Sequence, residues 1–281
     1  MRSLAKRKDE LINFLIKHNI DLMAVQETWI STKTLDIKIK DYKVIKTSPN
    51  DTRGTGVAFI IKNNIKIKNI FIKNLYKGIE YISIVVIFKN FRNIKFVSIY
   101  IHPYAKKEDI EYTLNNLNLK NTIIMGDFNA HSRIWSQGQP NQRGNLIEEY
   151  LKENNMKILD LKLKPTYCPL NKDTKNSSPD LVAYKNNLKA YIKNGRIGID
   201  IGSDHLPIIF NIKQEKITTT ISRNKHWILN SFSEKDYLDK IKNDMNELED
   251  NKKCSYYLVS KIILKSPDGL TGKAYGFDCV W

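Results

Sequence analysis

Four short clusters carry the residues able to do chemistry: Gln26-Glu27-Thr28, Gly126-Asp127-Phe128-Asn129-Ala130-His131, Ser178-Pro179-Asp180 and Gly202-Ser203-Asp204-His205. Each adjoins an apolar run of strand length, at Asp21 to Val25, Thr122 to Met125, Asp180 to Ala183 and Leu206 to Ile212. If these strands share one sandwich, its rim collects Glu27, Asp127, Asn129, Asp180, Asp204 and His205. Carboxylates gathered there repel one another unless a cation sits among them. Oxygen donors without thiolates favour a hard ion, Mg²⁺ or Mn²⁺. Singly, the pieces say less. Glu27 after a strand fits a surface loop, Gly126-Asp127 fits an ordinary turn, and Asp204-His205 fits a helix cap or surface pair. Their joint occurrence, in this order and each beside a strand, carries the argument.

The surrounding chain supplies elements to position them. Leu11, Phe14, Leu15 and His18 follow helical spacing and predict an amphipathic helix over Arg7 to Asn19. Strand-like segments follow at Gly56 to Ile61, Ile65 to Ile72, Tyr81 to Phe88 and Lys95 to Ile101, rich in Ile, Val, Phe and Tyr. Helices are predicted over Lys106 to Leu119 and Gly144 to Asn154, and a short strand over Met156 to Leu159. Helices recurring among strands imply sheets covered by helices, a mixed α/β sandwich. Past Ile212 the character changes. Lys213 to Arg223 is polar and basic, and Ser233 to Glu249 predicts a charged helix with a narrow apolar stripe. The domain boundary is therefore placed at 212, with 213–281 a basic linker and helical tail.

The 281 residues suffice for one large domain plus a tail. Hydrophobic content of 41% marks a globular chain, and no apolar run approaches the roughly 20 residues needed to span a bilayer. The polar, basic start has no secretory signal. Cys168, Cys254 and Cys279 are too far apart for a metal cluster or disulfide framework, which suits a reducing compartment. A net charge of +16 favours polyanionic partners, nucleic acid first among them. The abundance of Lys, Asn and Ile also fits an A/T-rich genome, so charge alone decides nothing.

The four clusters in this order resemble the successive motifs of the endonuclease/exonuclease/phosphatase superfamily, over roughly residues 9–212. Asn129-Ala130-His131 followed by Trp135 resembles the extended motif of its non-LTR (LINE-type) retrotransposon endonucleases. So do the helix leading into the first motif and the basic stretch Ser222-Arg223-Asn224-Lys225-His226-Trp227. The resemblance implies a four-layered α/β sandwich of the DNase I-like type. It implies Mg²⁺-dependent nicking of DNA that leaves a 3′-hydroxyl primer, by a monomer in the nucleus after cytoplasmic synthesis, with no membrane. It implies Glu27 as principal metal ligand with Asp204 supporting the metal or its water shell. Asp127 orients or deprotonates the attacking water, Asn129 holds water or phosphate, and His205 contacts the scissile phosphate. Asp180 fixes the His205 tautomer, and Tyr100, in Ile99-Tyr100-Ile101-His102-Pro103, contacts phosphate. His131 is a substrate contact or a structural hydrogen bond, and His102 a neighbour of the site.

The sequence departs from that pattern in two places. Family members begin with a strand ending in an Asn-rich motif, and here Met1 to Lys8 leads directly into the first helix. The expectation is a domain lacking its first strand and one polar member of the metal site. The reverse transcriptase normally on the same polyprotein has no motif in Lys252 to Trp281, so a fragment, or a gene whose start is set too late, is expected. Two other functions compete: an abasic-site nuclease or other phosphoesterase on the same fold, and an inactive remnant that binds DNA by charge.

Overall fold

The structure, a computed structural model, describes residues 4, 6–30, 37–48, 54–89, 91–137, 139–169, 175–213 and 276–280. The chain begins with α1 (Lys8–Lys17), β1 (Leu22–Gln26), β2 (Tyr42–Lys46), β3 (Val57–Lys62), β4 (Ile67–Tyr76), β5 (Ile79–Val86) and β6 (Ile94–Ile101). It continues with α2 (Lys107–Asn115), β7 (Thr122–Asp127), α3 (Gln142–Glu153), β8 (Met156–Ile158) and β9 (Asp180–Lys185). Then come β10 (Ile192–Ile197), β11 (Ile208–Lys213) and β12 (Gly276–Val280). Two six-stranded sheets result, ordered β10-β11-β12-β1-β3-β2 and β4-β5-β6-β7-β9-β8.

The pleat explains the layers. In β1, Leu22 and Ala24 point between the sheets, where they join Ile82, Phe96, Met125 and Phe210. Met23 and Val25 point the other way, beneath Leu11, Phe14 and Leu15 of α1. A strand buried on both faces reads as an unbroken apolar run. The outer face of the second sheet is covered by Ile110 and Leu114 of α2 and by Leu146, Ile147 and Tyr150 of α3. Helix, sheet, sheet and helix make the four-layered α/β sandwich that the motifs imply. Phe59, Phe96 and Phe210 are fully buried between the sheets, each worth roughly 1.5–3 kcal/mol. At the start of α3 the Asn141 side chain accepts the Gly144 N–H at 2.7 Å, a cap worth about 1 kcal/mol.

The largest departure from expectation is β12. Residues 276–280 fall within the stretch assigned to a helical tail, yet they form a strand of the domain's first sheet. β12 lies between β1 and β11, parallel to β1 (Leu22↔Cys279, Met23↔Val280) and antiparallel to β11 (Ile209↔Val280 through Lys213↔Gly276). The place beside β1 is thus filled from the far end of the sequence. Without it, hydrogen-bonding groups of two interior strands would lie unpaired, a costly arrangement. β2 and β10 were also unanticipated, and Asp127 lies within its strand rather than past its end. The helix expected over 233–249 lies outside the described residues. Among the described residues no helix is long and apolar enough to cross a membrane.

Candidate active site

Strand register builds the first part of the site. Glu80 of β5 pairs with Tyr100 of β6, Tyr100 with Asp127 of β7, and Asp127 with Asp180 of β9. Residues directly opposite across paired strands share a face. The alternation along each strand turns this row inward, because its even-spaced neighbours Ile82, Phe96, Met125 and Val182 belong to the inter-sheet core. The row therefore ends the apolar core at one rim. Gly126 makes the close approach possible: a Cβ there would sit 1.8 Å from the Ile99 carbonyl oxygen. Beyond the row, Asn129 turns the chain with φ 47°, a left-handed conformation that Asn tolerates. Its N–H donates to the Asp127 carboxylate at 2.9 Å, and its Nδ2 donates to the Ile101 carbonyl at 2.9 Å. Phe128 N–H donates to the Pro179 carbonyl at 3.1 Å, tying the second motif to the third.

The first sheet brings the residues that face this row. His205, just ahead of β11, places Nδ1 3.0 Å from both carboxylate oxygens of Asp180. Burial alone would lower the His205 pKa, but the charge and hydrogen bond of Asp180, helped by Asp127, raise it to about 9. His205 is then an imidazolium at neutral pH, with Nδ1–H committed to Asp180 and Nε2–H left to act. Asp127 is moved the other way from its ordinary range. Burial and then the Asp180 charge push its carboxyl well up, against the opposing pull of His205. Asp127, Asp180 and His205 offer atoms within 4.8 Å of one another. The His205–Asp180 hydrogen bonds make this trio an acid–base cluster rather than a closed metal cage.

Glu27 follows β1 at φ 53°, a strained conformation for a glutamate that aims it across the rim. Tyr100 donates its hydroxyl to Glu27 Oε1 at 2.7 Å. Burial, then the charge of Glu27, raises the Tyr100 pKa so far that it remains a neutral donor. Glu80, at 2% exposure, holds the neighbouring loop: it accepts the Gly56 N–H at 2.8 Å and the Thr47 hydroxyl at 3.3 Å. The Gly56 carbonyl in turn accepts the Thr28 N–H at 3.1 Å, beside Glu27. His102 completes this group, its ring 4.3 Å from that of Tyr100 and its Nε2 3.4 Å from Glu80. Below the rim Gln26 donates to the Ser98 hydroxyl at 2.7 Å, linking the two sheets.

Glu27, Asp127, Ser203 and His205 line one cleft. Asp204 lies in the turn beside it, and its carbonyl accepts the Cys168 N–H at 2.7 Å. The His131 ring faces the Ser136 hydroxyl at 3.4 Å, and burial lowers its pKa against the pull of Asp180. Trp135 is buried, its indole N–H donating to the Ala130 carbonyl at 3.3 Å. The residues fit a hard divalent ion. The donors are carboxylate oxygens, and a dication would favour the ionised Asp127 that burial, and then the Asp180 charge, oppose. Mg²⁺ takes one or two protein carboxylates and keeps several waters. Two residues went unnoticed in sequence. Glu80 sits in a strand pattern where an alternating polar residue ordinarily faces water, and Arg143 has no motif around it.

Residues 94–209 match the family model described as endonuclease-reverse transcriptase. No curated protein sequence matched the chain. Among solved structures, the endonuclease domain of TRAS1, a telomere-specific non-LTR retrotransposon, is similar with a TM-score of 0.58 and 21% identity, covering 74% of this chain and 93% of that one. The AP endonuclease LMAP from Leishmania major is similar with a TM-score of 0.53 and 14% identity, covering 73% and 82%. Residues 94–209 carry the sequence pattern of the endonuclease-reverse transcriptase family, and the fold of the chain is the one these two endonuclease structures share.

Proposed function

We propose that the domain is a metal-dependent DNA endonuclease that nicks target DNA and leaves a 3′-hydroxyl able to prime reverse transcription. The observation carrying this reading is the row Tyr100–Asp127–Asp180, clamped on one side to Glu27 and on the other to His205. Glu27 would hold a divalent ion, with Asp204 supporting its water shell; the ion would supply neutralisation of the phosphate and of the leaving 3′ oxygen. Asp127 takes the proton of the attacking water, and its elevated pKa suits a base working near neutrality. Asn129 orients that water or a phosphate oxygen. His205 donates from Nε2–H to the phosphate as charge builds on it, and Asp180 keeps it charged and aimed. Tyr100 holds the Glu27 carboxylate in place through its hydroxyl. The +16 charge supports a polyanionic substrate, and the family of the matched segment supports a retrotransposon setting in which a reverse transcriptase acts next. His131 contributes at the margin of the substrate path.

The test is nicking of supercoiled plasmid by the purified chain in Mg²⁺ or EDTA, beside His205→Ala. Nicking in Mg²⁺ alone, lost in the variant, is the expected outcome. Cleavage confined to an abasic duplex redirects the reading to a repair nuclease. Salt-sensitive binding without cleavage in any divalent ion would sink the catalytic reading.

A further inference from the structure

A short segment that the proposed mechanism leaves without a role joins the third and fourth motifs. Thr166 and Tyr167 both donate their N–H to the Ser177 carbonyl, at 3.0 and 2.9 Å, and Ser177 returns its N–H to the Tyr167 carbonyl at 3.0 Å. The Ser178 hydroxyl adds a bond to the Lys164 carbonyl at 3.1 Å. On its other side the same segment meets the loop ahead of β11. Cys168 N–H donates to the Asp204 carbonyl and Leu206 N–H to the Thr166 carbonyl, each at 2.7 Å. Tyr167 and His205 thus form an antiparallel bridge whose bonds are made by their neighbours and not by each other. In that kind of pair the side chains stand closest. The two rings accordingly meet, with centroids 4.9 Å apart and planes inclined at 56°.

The contact matters because of how His205 is otherwise held. Its Nδ1 lies 3.0 Å from both Asp180 oxygens, so the carboxylate pins one atom of the ring. A ring pinned at one atom can still swing about it, and Nε2, on the far side, then moves most. The backbone bridge is a single residue pair, with no ladder to fix the side chain. We propose that Tyr167 is a positioning residue: its ring braces the His205 imidazole and keeps Nε2 aimed into the cleft. The inference rests on the nuclease reading, in which Nε2–H meets the phosphate. The working part of Tyr167 is its ring, since a tilted aromatic pair is held by ring contact and needs no hydroxyl. A donor that strays by about 1 Å serves the transition state poorly, so the loss falls on turnover and spares DNA binding.

The experiment compares Tyr167→Ala and Tyr167→Phe with the wild type, all as the full chain. Neither substitution touches the bridging bonds, which backbone atoms make. In steady-state nicking of supercoiled plasmid with Mg²⁺, Tyr167→Ala lowers kcat roughly 10–100-fold with KM changed by less than about twofold. Tyr167→Phe stays close to the wild type. Proton NMR in EDTA, which needs no catalysis, follows the Cε1–H resonance of His205, assigned by its absence in His205→Ala. The Tyr167 ring current displaces that resonance in the wild type and in Tyr167→Phe, and the displacement is lost in Tyr167→Ala. Urea unfolding certifies the fold; if Tyr167→Ala does not fold, Tyr167→Leu, which keeps the bulk and loses the ring, carries the same test. An unchanged kcat, a raised KM at constant kcat, equal losses in Tyr167→Phe and Tyr167→Ala, or a resonance that does not move each overturns the proposal. A wild type that nicks nothing while the resonance moves as expected removes the nuclease reading and leaves the brace in place.

Discussion

Tyr100, Asp127 and Asp180 reach the site from three neighbouring strands of one sheet, whereas Glu27 and His205 reach it from loops at the end of the other. The two groups are held by different physics. The strand residues need only correct register, which the apolar alternation of β6, β7 and β9 enforces, because a slip of one residue would turn every core side chain to the wrong face. The loop residues have no register to rely on. Each is instead clamped to a member of the row, Glu27 by the Tyr100 hydroxyl and His205 by the Asp180 carboxylate. The row is the reference frame, and the loops are aligned to it by one polar contact apiece.

The comparison breaks most completely if the frame itself is disturbed. Gly126→Ala places a methyl 1.8 Å from the Ile99 carbonyl and forces β7 away from β6. The expected loss is about 3 kcal/mol or more of stability, with nicking abolished. Urea unfolding measures the first, and an unchanged midpoint would mean that register is not what positions the row. A smaller effect comes from releasing one clamp. Asp180→Asn lowers nicking by roughly 10²–10³-fold, as expected for loss of an aimed charged donor. His205 titrates near pH 9 in the wild type, so it stays charged through neutrality. In Asp180→Asn burial is no longer opposed by its main partner, the midpoint falls, and imidazolium is lost as pH rises through the lower value. NMR titration of the His205 ring checks this, and a midpoint still near 9 would assign the charge to another neighbour. The smallest effect sharpens the other clamp. Tyr100→Phe costs roughly tenfold in nicking, with more Mg²⁺ needed for half-maximal rate. A changed rate with unchanged Mg²⁺ dependence would place the hydroxyl on phosphate instead.

The same contrast governs what the sequence disclosed. Asp127, Asp180, Glu27 and His205 could be read because each abuts an apolar run whose burial on both faces leaves a clear signature. Their pairing partners could not, since Tyr100↔Asp127↔Asp180 is a statement about register between segments far apart in sequence. Glu80 was missed because Ile79-Glu80-Tyr81 has the alternation of a half-exposed strand; only the first sheet, packed across it, makes its polar face an interior one. Arg143 was missed because its carbonyl partners come from two loops that the sequence separates widely. β2 and β10 are short and lysine- or glycine-bearing, with too little apolar contrast to register as strands.

β12 carries a consequence for the order of events in time. It lies between β1 and β11, so the sheet bearing Glu27 and His205 cannot be completed until residues 276–280 have been synthesised. Pairing segments so far apart in sequence is thermodynamically mild, because each doubling of their separation adds only about 0.6 kcal/mol. It is kinetically late, however. At roughly 5–20 residues per second, several seconds separate the synthesis of β11 from that of β12. During that interval two strand edges that are interior in the finished sheet have no mate, and such edges invite adventitious partners. Nascent chains stalled before residue 276 are therefore expected to be cut by protease within this sheet, and those carrying 276–280 clear of the ribosome to resist. Equal resistance would show that the sheet tolerates the vacancy. Completion of the first sheet is in this way timed by the ribosome, and the rim that holds Glu27 and His205 waits for residues 276–280.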